Sequence, residues 1–120
     1  MIELRLSLQA SPRQIKSLRD AFQSLARLAR LARGCLEAHV FTESPGVRNL
    51  CYTEVWDTED HLCAMLRSEH FTALVELMEQ AVAPPTLDFR TISVVHDLNF
   101  AWQVRQDQPC FKPMESEDSP

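Results

Sequence analysis

The chain has 120 residues, 45% of them hydrophobic, which suits one domain with its own core. A formal net charge of −5 and a pI near 5.3 argue against a nucleic-acid partner, because phosphate contacts need a concentrated basic face. Only two glycines against seven prolines exclude a fibrous or loop-rich chain, and no apolar run is long enough to span a bilayer.

Residues 2 to 9 place Ile2, Leu4, Leu6 and Leu8 at alternate positions, the period of a half-buried strand. The following "SPRQ" reads as a helix start: Ser11 as cap, Pro12 in the first turn, and Gln14 closing a capping box. Ile15, Leu18, Phe22, Leu25, Ala29 and Ala32 then recur at helical spacing up to Gly34, a residue suited to the left-handed conformation that ends helices. Residues 35 to 43 and 47 to 56 read as a hairpin around "SPG". On its first strand, alternation sets Leu36, Ala38 and Val40 on one side and Cys35, His39 and Phe41 on the other. Asp57 or Thr58 can cap a helix bearing Leu62, Met65 and Leu66. Ser68 starts another, with Phe71, Leu74, Val75, Met78 and Val82, which the prolines at 84 and 85 stop. Residues 86 to 98 read as a fourth strand.

The order β-α-β-β-α-β predicts an α+β, ferredoxin-like domain over residues 1–97, with both helical layers on one face of an antiparallel sheet. Apolar side chains on the uncovered face would then call for a second copy, and a homodimer is expected. The charged and apolar alternation of "MIELRLSLQA" lacks the apolar core of a signal peptide, so the expected location is cytoplasmic. The four cysteines fit free thiols there.

The segment "YTEVWDTEDHLCAMLRSEHFTAL" ends a strand with Glu54 and Trp56, caps the next helix with acid, and enters another through Ser68-Glu69-His70-Phe71. It resembles the antibiotic biosynthesis monooxygenase (ABM) family, a likeness carried by this segment and by the element order over residues 1 to 97. The resemblance implies a dimeric α+β barrel, two such sheets packed face to face. It also implies oxidation of a quinol, polyphenol or similar small aromatic by molecular oxygen without an added cofactor. The alternative is a homodimeric binding or structural protein that keeps the barrel without chemistry. Where family members often carry a histidine, this chain has Met65. Where the polyketide oxygenases use an asparagine, it has Tyr52.

Cofactor-free oxygenation needs a pocket that holds an electron-rich ring, accepts its proton and excludes water. Alternation puts Tyr52, Glu54 and Trp56 on one face of their strand, expected to look toward the helices. There Trp56 would wall the ring, Tyr52 would hydrogen-bond its oxygen, and Met65 and Phe71 would line the space. Glu54 and His70 are the candidate proton acceptors, with His39 a weaker third at the dimer seam. The structural alternative makes Tyr52 and Trp56 core aromatics and pairs Glu54 with an arginine. His61 and His96 read as surface residues.

No metal site is expected. Cys35 and His39, four apart on a strand, lie about 13 Å apart; His61 and Cys63, two apart on a helix, turn to different sides. Arg19, Arg27, Arg30 and Arg33 read as a solvated basic face of the first helix. Residues 98–120 form an extension. Phe100, Trp102 and Val104 alternate, so 98–105 is expected to dock as an extended arm, against a partner subunit in preference to its own. Residues 112–120 are expected to be disordered.

Overall fold

A computed structural model describes residues 1–42, 48–93 and 96–106. The expected turn at 44–46 and the terminal 112–120 lie outside the described residues. The elements are β1 (Ile2–Gln9), α1 (Ile15–Arg30), β2 (Cys35–Thr42), β3 (Asn49–Trp56), α2 (Glu59–Leu66), α3 (Glu69–Met78), β4 (Thr86–Thr91) and α4 (Leu98–Gln106). The sheet runs β2-β3-β1-β4 with every neighbouring pair antiparallel, the ferredoxin-like α+β topology that the element order predicted.

The core lies between the sheet and α1, α2 and α3. Leu4, Leu6 and Leu8 of β1 face it directly beside Glu54, Tyr52 and Leu50 of β3. From above, Leu18, Phe22, Ala26 and Ala29 bury one stripe of α1. Small residues at 26 and 29 let α1 approach closely, and Phe22 reaches Tyr52 with ring centroids 5.4 Å apart. Burying each large apolar side chain here contributes about 1.5–3 kcal/mol.

Local details depart from the sequence expectations. The capping box does not form: residues 12–14 make a turn, α1 begins at Ile15, and Ser11 Oγ only donates to Gln14 Oε1 at 3.4 Å. At its other end α1 stops at Arg30, so Ala32 belongs to the turn and Gly34, at φ +91°, lies beyond it. Thr58, of the two candidates, caps α2 by accepting from the His61 amide at 3.2 Å.

The hairpin contains a bulge. Cys35 pairs with Trp56 while Glu37 pairs with Val55, so Leu36 is an extra residue and the alternation changes phase there. Cys35 therefore shares the helix-covered face with Ala38 and Val40, and Leu36 is turned out to solvent, 51% exposed. The uncovered face is more polar than expected: on β2 it carries Glu37, His39 and Phe41, with Phe41 the one large apolar group of that strand.

The strand expected over 86–98 ends at Thr91, and residues 98–106 form a helix in place of the extended arm. Asp97 Oδ1 accepts from the Phe100 amide at 3.4 Å, which starts α4 as an N-cap would. Leu98, Trp102 and Arg105 then recur at helical spacing, with the Arg105 guanidinium 5.4 Å from the Trp102 ring centre. The alternation of Phe100, Trp102 and Val104 masks that second, longer period.

Candidate functional site

Glu54 is the centre of the site. It lies on β3 between Leu4 of β1 and Ala38 of β2, wholly enclosed in an apolar neighbourhood. A carboxylate so placed is costly unless its oxygens are satisfied. Three side chains do this. The Tyr52 hydroxyl donates to Oε2 at 2.5 Å, the Trp56 indole N–H donates to Oε1 at 3.0 Å, and His70 Nε2 lies 2.5 Å from Oε2. Strand alternation brings the first two to the same face. The third comes from α3, whose first turn points His70 at the sheet. The expected arginine partner is absent from this set: Arg30 instead donates to the Ala38 carbonyl at 3.0 Å.

Burial, followed by the Glu54 charge, pushes the Tyr52 phenol far above its ordinary range. Tyr52 thus remains a donor and cannot act as a base. The same two causes raise the half-buried Cys35 thiol from 9.0 to about 11.

Beside this network a cleft of about 800 Å³ opens between α1 and the α2–α3 layer. Leu25, Leu28 and Ala29 form one wall, Trp56 lies at its base, and Met65 and His70 form the other side. His70, with Nε2 committed to Glu54, borders that space. Of the residues expected to line a pocket, Trp56, Met65 and His70 do so. Tyr52 and Glu54 lie behind them as buried support. Phe71 packs against the core and does not border the cleft, since its position on α3 follows His70 by one residue and turns away. His39 is not brought to the site: it projects from the uncovered face beside Glu37, 3.5 Å away, because the bulge leaves it opposite Thr53.

His61, read from the sequence as a surface residue, borders the cleft as well. Its Nδ1 lies 2.7 Å from Asp57 Oδ1. The four-residue spacing of Asp57 and His61 is the signal that could have revealed it. His96 is a surface residue, as expected, with its ring stacked on Phe100 at 3.9 Å. Among the described residues no three His, Cys, Asp or Glu side chains converge to hold a metal ion. No helix of the described residues is long and apolar enough to cross a membrane.

The fold and site define a class: ferredoxin-like α+β domains with an apolar cleft beneath their helices and a polar network at its base. Within that class the family is shown by sequence, since the antibiotic biosynthesis monooxygenase profile matches residues 1–77; the chain belongs to that family. No curated protein matches it in sequence. Among solved structures, a proposed antibiotic biosynthesis monooxygenase of Deinococcus radiodurans is 20% identical, with TM-score 0.71, covering 81% of this chain and 97% of its own. A conserved protein of Methanosarcina mazei Go1 is 22% identical, with TM-score 0.66, over 74% of this chain and 89% of its own. A proposed antibiotic biosynthesis monooxygenase from Nitrosomonas europaea is 9% identical, with TM-score 0.66, over 76% and 97%. At these identities the likeness is one of fold.

Proposed function

We propose that the protein is a cofactor-independent monooxygenase that oxidises a quinol or polyphenol bound in the cleft over Trp56. The observation that carries this reading is the meeting of an apolar cleft, roomy enough for an aromatic ligand, with a histidine backed by a buried carboxylate. The substrate ring lies against the Trp56 indole with one hydroxyl near His70 Nδ1. Transfer of that proton gives a phenolate, electron-rich enough to pass an electron to molecular oxygen. Recombination forms a carbon–oxygen bond, and loss of water leaves a hydroxyquinone, so that quinol plus O2 becomes hydroxyquinone plus H2O. Glu54 steadies the imidazolium formed in the first step, and the apolar walls keep water from the radical pair.

The working unit is a homodimer, with a second copy covering the open face of the sheet, and its location is the cytoplasm. Cys51, Thr53 and Val55 are nearly sealed on that face, with Phe41 beside them, and the described cysteines are free thiols.

The test is oxygen consumption by metal-stripped protein across a panel of quinols and polyphenols. Turnover should fall by about 10²-fold or more in His70→Gln. A panel giving no consumption at all would sink the oxygenase reading. A second reading, a binding protein of the same fold, has its own support: both Glu54 oxygens already have partners inside the protein. Ligand quenching of Trp56 fluorescence without turnover would favour it.

A further inference from the structure

The His61–Asp57 pair is built apart from the Glu54 network, yet it opens on the same cleft. His61 lies in the first turn of α2, and three contacts fix its ring. Asp57 Oδ1 holds Nδ1 at 2.7 Å, and Thr58 Oγ1 stands 3.2 Å from the same nitrogen while also capping the His61 amide. The third contact is Gly34. A Cβ there would come within 2.5 Å of Cγ and closer still to Nδ1, so the ring lies directly on the glycine backbone. Gly34 is held in turn, its carbonyl accepting from the Asp57 amide at 2.9 Å.

These contacts decide the tautomer. Hydrogen bonding to His61 lowers the Asp57 carboxyl below its ordinary value, so Asp57 is an acceptor at neutral pH. Nδ1 therefore carries a proton, and in the neutral ring the lone pair resides on Nε2. Nε2 is not among the His61 atoms nearest Gly34, it has no hydrogen bond with any described residue, and the His61 side chain lines the cleft. The side chain is one-third exposed. An imidazole whose Nδ1–H is held by a carboxylate, with Nε2 open to a binding space, is the arrangement of a general base.

We propose that His61 is a second proton acceptor of the cleft, taking the proton of an acidic hydroxyl (a phenol or enol) on the bound ligand, with Asp57 as its positioning residue. This rests on the reading of the cleft as an aromatic-ligand site and deepens it. Hydroxyls at opposite ends of a quinol would meet His61 and His70, which both line the cleft, and such a ring must lose both protons to become a quinone. The step is a plain proton transfer: the ligand O–H bond breaks, Nε2–H forms, and the imidazolium charge faces Asp57. Other charged or titratable groups around His61 are Arg33 after α1, Glu59 and Asp60 on its own helix, and Glu69 and His70 on α3. This set holds four carboxylates, Asp57 included, and one arginine.

The test uses the full chain and 4-nitrophenol, whose ionisation is visible by its colour. At a pH where the free phenol is colourless, bound probe should be coloured in the wild type and colourless in His61→Gln. Asp57→Asn should give an intermediate fraction, and tryptophan quenching should show that all three still bind it. Added imidazole should restore colour in a His61→Gly variant. Colour unchanged in His61→Gln, or no binding of the phenol to wild type, overturns the proposal. Quinol-driven oxygen consumption is measured in parallel. Consumption unaffected by His61→Gln overturns His61 and leaves the oxygenase reading standing, whereas lost colour without any consumption keeps the dyad and removes the oxygenase.

Discussion

The two faces of β3 are both nearly closed to solvent, by different means. On the helix side, Tyr52, Glu54 and Trp56 are closed by α1 and α3, and each of their polar atoms finds a partner within the same chain. On the other side, Cys51, Thr53 and Val55 are buried too, with Arg5 and Ser7 of β1 against the Cys51 thiol. There Arg5 Nη1 reaches Cys51 Sγ at 3.7 Å. Arg5 Nε is sealed without a hydrogen bond, its nearest carboxylate oxygen being Glu3 Oε1 at 3.7 Å. The helix side is complete in itself and the open side is not.

The largest expected effect breaks the helix side. Glu54→Ala strands the Tyr52 hydroxyl, the Trp56 N–H and His70 together, and should cost about 3–5 kcal/mol in urea unfolding. Thr53→Ala, one residue away on the other face, should cost no more than about 1 kcal/mol. Equal losses from the two would remove the distinction between the faces.

Cys35 offers a chemical version of the same comparison. Its thiol is raised from 9.0 to about 11, so at neutral pH its thiolate fraction falls about a hundredfold. Alkylation followed by peptide mapping should show that retardation against an unfolded reference. Since the folded value is the higher one, the thiol supports folding below pH 9 and that support fades as pH rises through about 11. Rapid labelling of the native protein at pH 7.5 would contradict it.

Gly34→Ala acts on the seat of the His61 ring. The positive φ and the clash with His61 together should cost about 1–3 kcal/mol, and the His61 ring must move from Asp57. NMR of the imidazole should register the lost Nδ1 hydrogen bond even where the melting temperature moves little.

The smallest effect on the isolated chain is expected from Phe41→Glu on the open face, within about 0.5 kcal/mol. For the proposed dimer the consequence should be complete: light scattering at micromolar concentration should report a dimer for the wild type and a monomer for the variant. A mutant that still pairs would move the interface elsewhere.

Alternation alone reveals β1 and the shared face of Tyr52, Glu54 and Trp56, because a strand's period is local. The partner of Glu54 is not legible in that way. His70 lies 16 residues away, and their meeting depends on how α3 packs, which no local pattern encodes. The Leu36 bulge is hidden for the opposite reason: an uninterrupted alternating run gives no sign that one position has been skipped. His61 looks like one more polar residue near a helix start, and the Gly34 backbone that completes the seat of its ring is far from it in sequence. In α4 two periods coincide on Trp102, and the shorter one misleads.

The tie between Glu54 and His70 also governs which wall of the cleft can breathe. Were α3 to lift from the sheet, it would strand a carboxylate inside an apolar layer, so α3 and β3 open only in a rare, nearly global event. α2 is fastened differently, by Leu62 and Met65 in the core and by the contacts of His61 with Asp57, Thr58 and Gly34, and lifting it strands no buried carboxylate. Amide hydrogens of α2 should therefore exchange with solvent faster than those of α3. The side chain that completes the network thereby anchors α3 to the sheet.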